Sequence, residues 1–109
     1  MASHHLSYWL AALHLPGIGP RTVLGWLEHF TTIEALFRAS MAEWQAAHVK
    51  EQHIHFLRHP NWKLVEEALL WANQTHHHLI AFDADDYPPL LKEMVDPPLV
   101  MAMPASAKQ

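Results

Sequence analysis

Leu15-Pro16-Gly17-Ile18-Gly19-Pro20 leaves the backbone few choices. Proline disfavours helix in the residue before it, and glycine reaches conformations that other residues resist. A helix arriving from the N-terminal side must therefore stop near Leu15. Pro20 suits the first turn of a following helix, where its missing N–H would have had no partner. Leu6, Trp9, Leu10 and Leu13 stand at helical spacing before the break, and Val23, Leu24, Leu27 and Phe30 stand so after it. Each set forms a stripe that one helix face can bury. The pattern predicts helix, tight turn, helix.

Further along, Thr31 with Glu34 and Ser40 with Glu43 each match the capping box, in which hydroxyl and carboxylate satisfy the free N–H groups of a helix start. They predict two short helices near 32–39 and 41–48. Ile54, Phe56 and Leu57 indicate another helical turn. Trp62, Val65, Leu69 and Ala72, widened by Leu64, Ala68 and Trp71, make residues 61–75 the clearest helix. After His76-His77-His78 the texture changes. Residues 79–82 form a short apolar run closed by Asp83-Ala84-Asp85-Asp86, which reads as a strand. A short helix from Tyr87-Pro88-Pro89 through Met94 and a second strand over 99–103 follow. Two strands this short are marginal without neighbours. The last six residues have the small, polar make-up of a frayed end.

The fold expected is mainly α: a small helical bundle with one helix-hairpin-helix and a short α/β C-terminal extension. Residues 1–75 are assigned to the helical domain and 76–109 to the extension. With 109 residues, half of them apolar, the chain has material for one compact core. It has no cysteine, which removes disulfides and thiolate chemistry and agrees with a reducing compartment. No apolar run reaches the roughly 20 residues of a membrane span, and the first residues lack the order of a secretory signal. A cytoplasmic protein without a membrane partner is the expectation.

The turn carries the one motif with a ligand chemistry of its own. Leu15-Pro16-Gly17-Ile18-Gly19 matches the hydrophobic-Pro-Gly-x-Gly core of a helix-hairpin-helix, which holds a phosphate on main-chain N–H groups without reading a base. Gly17, Ile18, Gly19, Arg21 and Thr22 are the candidate DNA-binding residues. A plain connector with Ile18 plugged into the core fits the same residues. Charge limits the affinity, because phosphate neutralisation by Lys and Arg supplies most of it. The net charge is −4, Arg21 is the only Lys or Arg among the first thirty residues, and the excess acid lies in residues 61–109.

Eleven histidines, including His53-x-His55 and His76-His77-His78, raise a metal site. Consecutive imidazoles cannot all face one tetrahedral ion, and surface placement is the better reading. Asp83, Asp85 and Asp86 are read as a strand end rather than a magnesium site. The tryptophans at 9, 26, 44, 62 and 71 are read as core rather than as base-stacking platforms. No metal, cofactor or catalytic residue is assigned, and the chain is not expected to be an enzyme.

The order of landmarks resembles one family. Tyr8-Trp9-Leu10-Ala11-Ala12-Leu13 with the turn, then Asp83-Ala84-Asp85-Asp86-Tyr87-Pro88-Pro89-Leu90-Leu91, then Asp96-Pro97-Pro98-Leu99-Val100, together resemble the N-terminal part of DNA-processing A (DprA/Smf) proteins. The resemblance spans residues 8–100. It implies a sterile-alpha-motif-like domain leading into a Rossmann-like domain, which binds single-stranded DNA and helps load the recombinase in natural transformation. Residues 76–109 would be the lead-in to that second domain, and the glycine-bearing passage expected after Ala102 does not follow. On this reading the partners are DNA, held weakly and without sequence preference, the rest of the full-length protein and its recombinase. A homo-oligomer is compatible with it. The alternative is a protein-interaction module without DNA binding of its own.

Overall fold

The computed structural model describes residues 2–104, with side chains described over residues 5–103. Six helices come first: α1 (Ala2–Leu13), α2 (Pro20–Trp26), α3 (Ile33–Arg38), α4 (Met41–Ala46), α5 (Glu51–Arg58) and α6 (Trp62–Gln74). β1 (His77–Ala81), α7 (Pro89–Lys92) and β2 (Val100–Pro104) follow. The protein is mainly helical with a two-stranded antiparallel sheet, and no strand falls within residues 20–75. Most of the expected tail, residues 105–109, lies outside the described residues.

Local chemistry sets the helix ends. Ser40 and Glu43 form the expected capping box, with Glu43 N–H donating to Ser40 Oγ at 3.2 Å and Ser40 N–H to Glu43 Oε1 at 2.8 Å. The other expected box does not form. Thr32, not Thr31, caps α3, accepting from Ala35 N–H at 3.1 Å. Starting one residue later puts Ala35 at the reciprocating position, and the Glu34 carboxylate is released for a tertiary role. Asn61 caps α6 through Leu64 N–H at 3.2 Å. His48 and His76, at φ 64° and 56°, end α4 and α6 in the left-handed region that histidine tolerates better than most residues.

The core forms where the helical stripes converge. Trp9, Val23, Ile33, Leu36, Trp44 and Leu57 are buried in one cluster, and Trp44 satisfies its indole by donating to Leu36 O at 2.7 Å. Burying each such aliphatic side chain contributes about 1.5–3 kcal/mol. Ala81 and Leu99 belong to the same cluster, so the sheet segment shares the core of the helices. Leu10, Ala11 and Val65 form a second, smaller cluster where α6 lies on α1.

The core assignment holds for Trp9, Trp26 and Trp44 but not for Trp62 and Trp71, each 45% exposed. Along α6 only Val65 and Ala72 are fully buried, because the helix packs on α1 and β1 along a narrow seam. The residues that widen its apolar stripe therefore stand at the rim.

The strands find their partners in each other, in the register Leu79↔Ala102 and Ile80↔Met101. Phe82 N–H extends the ladder to Leu99 O at 2.8 Å, and the buried Tyr87 donates its hydroxyl to Pro98 O at 2.8 Å. Burial pushes the Tyr87 phenol pKa up. Among the described residues no helix is long and apolar enough to cross a membrane.

Candidate nucleic-acid interface

Between α1 and α2 the chain turns as the proline and glycine pattern requires. Leu15 N–H donates to Ala12 O at 3.2 Å, and Ile18 N–H to Leu15 O at 3.4 Å. Gly17 has φ +70°, a conformation that costs an L residue roughly 1–2 kcal/mol. Ile18 is half-buried against the main core and anchors the turn from below. Gly19 is the N-cap of α2 in extended geometry, with no side chain to cap the helix, and Pro20 begins it.

The candidate residues are therefore brought together at one surface. Gly17, Gly19, Arg21 and Thr22 are exposed. Val23 N–H is taken by Gly19 O at 3.3 Å, whereas the N–H groups of Gly17, Gly19, Arg21 and Thr22 find no backbone acceptor among the described residues. With only seven residues, α2 adds little dipole. What the turn offers an anion is its free N–H groups and one guanidinium.

The histidines are dispersed. His53 packs on Trp26 at a ring separation of 5.8 Å, His77 on Trp71 at 4.8 Å, and His55 on His59 at 5.1 Å. Among the described residues, no group of three or more His, Asp or Glu is arranged to hold a metal ion.

One titratable cluster was invisible in the sequence. His5 Nδ1 lies 2.7 Å from Glu34 Oε2, and His5 Nε2 lies 2.8 Å and 3.0 Å from the two oxygens of Asp83. Trp9 Nε1 stands 3.3 Å from the same Nε2. Burial alone would lower the His5 pKa, but the bonds to Asp83 and Glu34 override it and raise the value. Burial would likewise raise the Glu34 pKa, and the bond to His5 brings it below the ordinary carboxylate value. As a cation, His5 donates to both carboxylates. Neutral, with its proton on Nδ1, it can only accept at Nε2, so the Trp9 indole becomes the matching partner and Asp83 loses its donor. The cluster ties α1 and α3 to the turn after β1 through charge.

Two pairs of cavities frame these features. The walls of one pair carry acid: Glu28 and Asp83 in a cavity of about 240 Å³, and Asp83, Asp85 and Asp86 in one of about 480 Å³. The other pair meets at the α5–α6 corner and has no carboxylate in its walls. His14, His55 and His59 line a cavity of about 410 Å³, and Tyr8, Arg58 and Trp62 line one of about 340 Å³.

No protein-family model matches the chain, and no curated protein does. No solved structure matches its fold.

Proposed function

We propose that this chain is an N-terminal accessory domain of a cytoplasmic DNA-processing protein of the DprA/Smf type, acting in natural transformation. In this reading α1, the turn and α2 are a helix-hairpin-helix in a sterile-alpha-motif-like bundle. The domain touches the DNA backbone weakly and without sequence preference, while the full-length protein binds single-stranded DNA and loads the recombinase. No catalysis is assigned to it. The observation that carries the reading is the exposed turn, with free N–H groups at Gly17, Gly19, Arg21 and Thr22 and a cationic side chain beside them. The ordered landmarks over residues 8–100 supply the family.

Fluorescence anisotropy with single- and double-stranded oligonucleotides tests it, at low and moderate salt. Each phosphate contact contributes roughly one unit to the salt slope. One or two contacts give a shallow slope, and Arg21→Ala weakens binding to both forms of DNA. Binding unchanged by Arg21→Ala would remove the turn as the seat of contact.

A second reading, a protein-interaction module, has its own support. Leu90 and Val95 are 77% and 70% exposed beside Met94, an apolar patch at α7 that a protein partner would cover. Absence of DNA binding even at low salt would favour it.

A further inference from the structure

The α5–α6 corner joins two features that the hairpin reading leaves unused, an exposed tryptophan and an arginine that has no ion pair among the described residues. Pro60 lies in the wall of both carboxylate-free cavities. The first is also walled by His14, Leu15 and Pro16, so it opens directly beside the 13–20 turn. His14 Nε2 is buried there without a hydrogen-bond partner. The second cavity gathers aromatic rings from four helices: Tyr8 of α1, Phe37 of α3, Trp44 of α4 and Trp62 of α6. Tyr8 lies 5.5 Å from Phe37 and meets Trp62 edge-on at 5.7 Å, with Arg58 in the same wall. Among the described residues neither the Tyr8 hydroxyl nor the Trp62 indole has a hydrogen-bond partner, and Trp62 is 45% exposed. The turn, the imidazole-lined cavity and the aromatic cavity thus form a continuous course across one region of the surface.

The chemistry of this course selects its occupant. An aromatic platform with a neighbouring guanidinium is suited to a flat ring attached to an anion. A polyanion would avoid the cavities walled by Glu28, Asp83, Asp85 and Asp86 and enter the pair that has none. A duplex keeps its bases stacked inside, so only an unpaired strand can offer one to the aromatic cavity. We propose that single-stranded DNA runs from the 13–20 turn across the α5–α6 corner and stacks one base in the cavity of Tyr8, Phe37 and Trp62, with Arg58 on an adjacent phosphate. The proposal rests on the DNA-binding reading above and adds to it a preference for single strands and the path they take.

The test measures anisotropy of the intact chain at low salt with three labelled probes: oligothymidylate, an abasic strand of the same length, and a duplex. The wild type binds oligothymidylate about tenfold more tightly than the abasic strand, the lower end for one stacked base. Trp62→Ala removes that preference and leaves abasic and duplex binding unchanged, whereas Trp62→Phe keeps most of it. Arg58→Ala weakens both single strands alike. Equal binding of thymidylate and abasic strands by the wild type would overturn the proposal without any variant having to fold. So would a preference that survives in a folded Trp62→Ala. In either case a loss on Arg21→Ala would leave the hairpin reading standing, while absence of all nucleic-acid binding would end both.

Discussion

The region around the 83–87 turn and the region around the α5–α6 corner treat charge in opposite ways. In the first, Asp83 and Glu34 spend their charge on His5 inside the protein. Asp86 faces His78 at 3.4 Å. In the second, Arg58, His14, His55 and His59 line cavities with no carboxylate opposite them. The difference shows why a net charge of −4 is a poor guide to where an anion binds. Glu34 and Asp83, through His5, hold the sheet segment onto the helices. Arg21 at the turn and Arg58 at the corner are exposed.

The two regions share one core, and the largest effect should come from damaging it. Leu36 is fully buried, accepts the Trp44 indole on its carbonyl and lies in the cluster that includes Ala81 and Leu99. Leu36→Ala should destabilise the protein by about 2–5 kcal/mol. Denaturant unfolding followed by far-ultraviolet circular dichroism and by hydrogen exchange at residues 79–82 should show one coincident transition. Separate transitions would mean that the sheet segment folds on its own, and that the contrast between the regions is one between two units.

Much of this architecture was legible because its causes are local. Pro16, Gly17 and Pro20 stop and restart a helix wherever they occur, and Ser40 with Glu43 carries its cap within four residues. The seam of α6 was legible too, but not its depth. Which of Trp62, Val65 and Trp71 is covered depends on how far α1 and β1 extend across the helix, and periodicity does not encode that. The His5 cluster was beyond reach, since its members lie 29 and 78 residues apart. Glu34 also had a plausible local use in the Thr31 cap, which the tertiary contact displaced. The aromatic cavity at the corner depends in the same way on Tyr8, Phe37 and Trp62, which come together only when α1, α3 and α6 pack.

A smaller effect should distinguish the regions by pH. The His5 pKa is raised above 6.5, so its contribution is fully present below that value and is lost as pH rises through the raised one. The Glu34 pKa is lowered from 4.5, so its contribution is present above 4.5 and is lost as pH falls through the lowered one. The clamp is therefore strongest between these limits. His5 is 39% exposed at its side chain, which keeps the effect near that of a surface ion pair, about 0.2–1 kcal/mol. Thermal melting of wild type and His5→Gln should differ most at pH values between 4.5 and 6.5 and converge in alkali. A difference that stays constant with pH would mean that His5 contributes packing rather than charge.

The smallest effect on stability should accompany a measurable effect on binding. Gly19 has φ −86°, which any residue adopts, and a Cβ added there would meet nothing within 4 Å. Alanine is a poorer N-cap than glycine by several tenths of a kcal/mol, roughly, but it also restricts the unfolded chain by about 0.4–1 kcal/mol. The terms oppose each other, and Gly19→Ala should melt close to wild type. A phosphate seated on the turn would meet that Cβ, because backbone N–H groups hold an anion only at close approach. The Gly19→Ala chain should therefore bind single- and double-stranded oligonucleotides a few-fold more weakly while keeping its preference for strands that carry bases. Undiminished affinity in this variant, with Arg21→Ala still impaired, would move the contact from the backbone of the turn to the Arg21 side chain. The corner would then be the more selective of the two surfaces, and the turn no more than a neighbouring charge.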